Sequence, residues 1–283
     1  MKRYITPNRI ANKARMSRRD STQAILIVEG STDSRVYKCF IDDNTCNVVY
    51  AKCKTSAIDA LLILEHSGVC GVLAIVDADF WHVDGVKPEK YSKNLLITDT
   101  HDTDTMILSS DALEKMLSEY ANENKLIRLG KPIREILIQS GIKIGYVRWV
   151  SSKYNMYIDF KKLDFCQFTD KNNLMVDCSS LLYNLEKNPK NYTLDYKKIK
   201  SMICSIKSTH NPWQICQGHD LIEILTIGLK EIFGNHTSKF IDNDIVSRNL
   251  RLSFDFLCFS GTDLYASINR WESNNSGFNL LIK

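Results

Sequence analysis

The chain has 283 residues, of which 44% are hydrophobic and 25% charged, the composition of an ordinary globular chain with enough length for one large or two modest cores. No apolar run approaches the roughly 18 residues that a membrane-spanning helix needs, which excludes a membrane protein. The formal net charge of +4 does not by itself imply nucleic acid.

The first segment is basic. Residues 1–19 carry Lys2, Arg3, Arg9, Lys13, Arg15, Arg18 and Arg19, with no acid before Asp20. The run reads either as a solvated helix or as a phosphate-contacting arm in which Arg15, Arg18 and Arg19 face the polyanion. A mitochondrial presequence would share this composition, but Glu29 comes too soon after it, on what reads as the first core strand.

From there strand and helix patterns alternate. AILIV (24–28), NVVYA (47–51), GVLAIVDAD (71–79) and NLLITD (94–99) read as strands, and DSRVYKCFI and TSAIDALLILEHSG as helices between them. Continuous apolar strands separated by helices predict a parallel sheet covered on both faces, an α/β core of Rossmann-like type. Right-handed crossovers then bring all strand C-termini to one edge. Past about residue 105, helical patterns take over: DALEKMLSEYANENKLI, KPIREILIQSGIKI, YKKIKSMICSI, DLIEILTIGLKEIF and NDIVSRNLRLSFDFLCF. MYIDFKKL reads as a short strand or extended connection, and 166–192 as a loop. The predicted organisation is a basic segment 1–23, an α/β domain 24–108 and a mainly helical C-terminal half 109–283.

The nine cysteines are scattered, without a CxxC pair or a secretory signal, which favours reduced thiols in a cytoplasmic protein. Cys204, His210, Cys216 and His219 could be assembled into a zinc site, but their spacing is irregular and buried or incidental roles are the default.

The chemistry-bearing pattern is acidic. Glu29 ends the first strand, and VDAD places Asp77 and Asp79 at the end of the third. In a parallel sheet these ends share the edge where such folds keep their sites. In extended chain Asp77 and Asp79 point the same way. Asp33 can turn back from the first helical turn, and Gly30 lets the chain leave the strand sharply. Carboxylates gathered this way repel and are costly to desolvate unless a cation sits among them. An all-oxygen donor set suits Mg²⁺ or Mn²⁺, ions that also engage substrate phosphates. Lys54, before the helix that comes after the second strand, is either a phosphate ligand at a helix N-terminus or a solvated lysine. Asp220, in GHDL with His219, reads best as a helix N-cap. Arg248, Arg251, Tyr265 and Trp271 read as helix-packing residues before they read as an RNA surface.

ILIVEGSTD with LAIVDAD after it resembles the TOPRIM domain of topoisomerases, primases and OLD-family nucleases. ITPNRIANKARMSRR, LLITDTHDTDTMIL, CQGHDLIEIL and TDLYASINRWE extend the resemblance to a bacterial TOPRIM family of uncharacterised function. Its members often accompany ABC-type ATPases and include the nuclease subunit of the PARIS anti-phage system. The resemblance implies a TOPRIM fold, with Glu29 as general acid/base or metal-bound glutamate and Asp77 and Asp79 as the metal pair. Asp33 matches the aspartate of VEGxxD. Asp104 stands where the family often has a glutamate, and Asp99 and His101, with His219 and Asp220, would support the site. The implied function is a Mg²⁺-dependent endonuclease, a toxic defence effector cutting RNA, in particular tRNA, when released by an ATPase partner; a homodimer is compatible with it. An OLD-type DNA nuclease and a non-catalytic partner module are the alternatives.

Overall fold

The computed structural model describes residues 6–18, 22–161, 163–191, 195–206, 210–236 and 240–282. Arg19 therefore lies outside the described residues. The chain divides into two compact units, residues 1–99 with 256–283, and residues 100–255.

The first unit is α/β. In chain order it contains α1 (Pro7–Ser17), β1 (Ala24–Val28), α2 (Ser31–Tyr37), β2 (Cys46–Tyr50), α3 (Lys54–His66), β3 (Val72–Val76), α4 (Trp81–Asp84) and β4 (Leu95–Ile97). All strand pairs are parallel, in the order β2-β1-β3-β4. Every residue of β1 and β3 is buried, as two-sided coverage of a central strand demands. Ile25 and Ile27, with Val72, Ala74 and Val76, join Ile10, Ala14, Ala57, Leu61 and Leu64 in one core. The latter five are residues of α1 and α3, so those helices cover that face. The alternate residues Leu26, Leu73 and Ile75 are also buried and face the other side.

The second unit is helical: α5 (Thr103–Ser109), α6 (Ala112–Tyr120), α7 (Glu123–Arg128), α8 (Ile133–Lys153), α9 (Cys178–Glu186), α10 (Tyr196–Ser205), α11 (Gly218–Glu231) and α12 (Asn243–Ser253). The chain then re-enters the first unit as α13 (Phe256–Ser260) and α14 (Asp263–Asn274). There Phe259 of α13 stacks on Phe40 at 4.4 Å, and the Nε1–H of Trp271 donates to Asn94 at 2.7 Å.

Several elements differ from the sequence expectation. The first C-terminal helix is two, because the Asn122 side chain accepts the Lys125 N–H and starts α7 afresh. The helix predicted over NDIVSRNLRLSFDFLCF ends at Ser253, and α13 begins at Phe256, beyond the boundary between units. The stretch 166–192 holds α9, started by Asp177 accepting from the Ser180 N–H at 2.8 Å. MYIDFKKL forms no strand among its described residues. Helix α8 runs on past Gly145, where a side chain would meet the Ile215 carbonyl at 2.4 Å, so glycine is the fit for that close approach.

Candidate active site

The site is built at the C-terminal edge of β1 and β3. Val28 pairs with Ile75, so the residues that leave the two strands next, Glu29 and then Asp77, emerge side by side. The Asp77 backbone N–H lies close enough to the Glu29 carboxylate to favour its charged form. Asp33, in the first turn of α2, reaches back so that its Oδ2 accepts the Gly30 N–H at 2.7 Å. The acid one turn after the strand thus fastens the exit at Gly30, whose extended backbone (φ −123°, ψ 170°) does not require glycine, while its charge stays beside Glu29.

Asp79 departs from the extended geometry expected of the DxD pair. β3 ends at Val76, and Asp79 has φ 50°, so the chain has already turned. Alternation along a strand does not govern where its carboxylate points. Asp79 instead pairs with Lys54, Nζ to Oδ2 at 2.9 Å. Lys54 starts α3, whose N-cap residue, Cys53, makes no side-chain cap bond. Its ammonium also donates to the Ala78 carbonyl at 3.1 Å and lies 3.9 Å from the centroid of the Trp81 ring. At 14% side-chain exposure this is no freely solvated lysine.

Burial raises the Glu29 carboxyl above the usual carboxylate range, and the charges of Asp79 and Asp33 raise it further. The Asp77 N–H and Lys54 only partly oppose this. Glu29 Oε2 is buried and has no hydrogen-bond partner. Among the described residues no three His, Cys, Asp or Glu side chains stand ready-made as a metal-binding group. The donor set nonetheless fits a hard cation. A buried carboxylate oxygen without a partner is costly, and the acids that raise the Glu29 pKa would be neutralised by the same ion.

Other predicted residues go elsewhere. Arg15 donates to Ser67, at the C-terminal end of α3, and Arg18 to the Cys70 carbonyl at 2.7 Å, just before β3. Both therefore sit at the N-terminal edge of the sheet, opposite the carboxylates, because a helix connecting parallel strands runs back along them. They form no wall of this site. Asp99 comes after β4, and its Oδ2 accepts the Asp263 N–H at 2.7 Å, fastening the first turn of α14.

Burial raises the Asp99 carboxyl above its ordinary range, with the nearby charge of Asp263 contributing. The folded state then holds its proton more tightly than the unfolded chain, so stability falls as pH rises from the ordinary carboxylate range through the raised one. Asp99→Asn keeps an acceptor for the Asp263 N–H and removes the ionisation. Urea melts at several pH values should show that variant gaining on the parent across this window. Asp99→Ala should instead lose about 1 kcal/mol, the worth of a helix-end acceptor. Identical pH profiles for parent and Asn variant would contradict this.

His101, Asp104, His219 and Asp220 belong to the second unit. His101 is buried, its backbone N–H donating to the Trp213 carbonyl at 2.9 Å. Asp104 lies in the first turn of α5. Asp220 is not an N-cap. Gln217 holds that position, and the fully buried Asp220 carboxylate takes both Nε and Nη2 of Arg148 at 2.7 Å. The N-terminal end of α11 is held by Asp102, whose Oδ2 accepts the Gly218 N–H at 2.8 Å. A side chain at Gly218 would meet Asp104 Cβ at 2.4 Å, which explains the glycine of GHDL. His219 is exposed on a cleft of about 620 Å³ lined also by Phe160 and Glu223. Cys204, His210, Cys216 and His219 form no metal-binding group.

Residues around the edge that sequence reasoning passes over include Trp81, His82 and Thr98. Thr98 is buried, its Oγ1 accepts the Ala78 N–H at 2.9 Å, and His82 Nε2 lies 2.8 Å from the Thr98 carbonyl. These contacts shape the turn that carries Asp79. The signal for them in the sequence is a tryptophan directly after the DxD turn, where an exposed loop would favour smaller polar residues. In comparisons with known proteins, no family model matches the chain and no curated protein matches it.

Proposed function

We propose that the carboxylate edge is the phosphodiester-cleaving centre of a Mg²⁺- or Mn²⁺-dependent nuclease. The carrying observation is the buried, unpartnered Glu29 Oε2 set among acidic neighbours, with one ammonium, Lys54, at hand. Glu29, Asp77 and Asp79 would hold the metal, with Asp33 contributing charge. Bound there, the ion would stabilise negative charge on the phosphate and activate a water. Lys54 moves from Asp79 to a substrate phosphate, assisted by the N-terminus of α3. Glu29 accepts or returns a proton at the reacting oxygen.

The TOPRIM resemblance of the Glu29 and Asp77–Asp79 motifs supports nucleic acid as substrate. The wider resemblance supports RNA, in particular tRNA, and a toxic defence role restrained by an ABC-type ATPase. A non-catalytic module has one observation in its favour: the Asp79 carboxylate is already paired with Lys54.

Thermal melts test the metal site. Titrating Mg²⁺ or Mn²⁺ should raise the melting temperature by mass action, about 2.7 kcal/mol at a hundredfold excess over Kd. Asp77→Asn combined with Asp79→Asn should abolish the increment. A double variant that responds like the parent would move the metal site elsewhere, and a parent that does not respond would favour the silent module.

A further inference from the structure

The segment between β3 and β4 carries an aromatic stack that the proposed chemistry does not use. Trp81 and Tyr91 lie parallel, with centroids 5.1 Å apart and planes 8° off. Lys54 Nζ stands 3.9 Å from the Trp81 centroid. An ammonium and a ring at these distances cannot share one face of the indole, so Trp81 is held between them. Trp81 is also packed against the core of the sheet unit, which makes it a rigid backing. Tyr91 is 47% exposed. Lys87, Lys90 and Lys93, all exposed, surround it in sequence, with Glu89 the single acid of 87–93.

An exposed ring, rigidly backed and flanked by positive charge, is how proteins hold single-stranded nucleic acid. The base stacks on the ring and the lysines track the phosphates, without a demand for one sequence. The stack is continuous with the carboxylate edge, because the same ammonium that faces Trp81 is paired with Asp79. We infer that Tyr91 is a stacking platform for an unpaired nucleobase close to the scissile phosphate, with Trp81 as its backing and Lys87, Lys90 and Lys93 as the phosphate track. The location near scission rests on the proposed nuclease reading; the platform itself does not. An unpaired base is required, since a ring lying flat against a surface cannot reach a base face inside a duplex.

Binding tests this without cleavage. The probe is a single-stranded RNA oligonucleotide carrying one 2-aminopurine, titrated into the full chain carrying Glu29→Gln. Stacking quenches the fluorophore and reports affinity. Tyr91→Phe should bind within about twofold of its background, whereas Tyr91→Ala should lose about tenfold or more in affinity along with the quench. Equal binding by the Ala variant, equal loss in the Phe variant, or no binding by the background protein would overturn the platform. Tyr91 is a surface residue, so matching melting temperatures would show that the fold is kept. Ring-dependent binding with no cleavage by the parent chain would leave the platform and remove the nuclease. Cleavage by the parent with unaltered KM in Tyr91→Ala would do the reverse.

Discussion

Glu29→Gln should lower Mg²⁺-dependent cleavage of a tRNA substrate by about 10²- to 10⁴-fold, the usual weight of a positioned acid–base group, and Asp77→Asn should lower it by weakening the hold on the metal. The loss should fall on kcat more than on KM, because neither side chain is placed to hold the body of the substrate. Arg15→Gln should leave cleavage unaltered, since its guanidinium binds Ser67 at the far edge of the sheet. Linear duplex DNA under the same conditions should be spared. In cells, growth arrest by the parent chain should be relieved by Glu29→Gln at equal protein level. Efficient, sequence-indifferent degradation of duplex DNA would instead identify an OLD-type DNA nuclease. A Glu29→Gln variant that cleaves like the parent would remove the proposed centre altogether.

Asp220→Ala should destabilise the second unit by about 3–5 kcal/mol, read as the shift of its transition in chemical denaturation. The carboxylate is fully buried and takes two charge-assisted bonds from Arg148, whose side chain is 19% exposed and lies over the Phe160 ring at 4.1 Å. Removing the acid strands a largely desolvated guanidinium, and that stranded charge, more than the lost attraction, sets the cost. Replacing both partners with apolar residues, Arg148→Met with Asp220→Leu, should therefore recover most of the loss. A double variant as unstable as Asp220→Ala would show that packing, not uncompensated charge, dominates. Metal-dependent stabilisation of the first unit should be unaffected by either variant, because Asp220 serves only its own unit's core.

The strands are legible in the sequence because β1 and β3 are buried on both sides, and only unbroken apolar runs such as Ala24–Val28 and Val72–Val76 satisfy that. The coincidence of Glu29 with one strand end and Asp77 with another is legible for the same reason, since parallel strands share an edge. The direction of Asp79 is not, because a period-two rule holds only while the chain stays extended, and its φ of 50° is a local choice made by the turn. Lys54 is ambiguous in sequence because solvated and buried lysines share one letter, and only the positions of Asp79, Ala78 and Trp81 decide between them.

The sequence by itself determined the parallel α/β sheet, the helical character of much of the C-terminal half, and the carboxylates at the strand ends. These depend on local periodicity and on the direction of the chain. Only the tertiary structure decided that β1 and β3 are neighbours, that 256–283 returns to the sheet unit, and that Asp220 pairs with Arg148. It also placed Arg15 and Arg18 at the opposite edge. Each of these is a contact between residues far apart in the chain, chosen by burial and charge compensation, for which local spacing carries no signal.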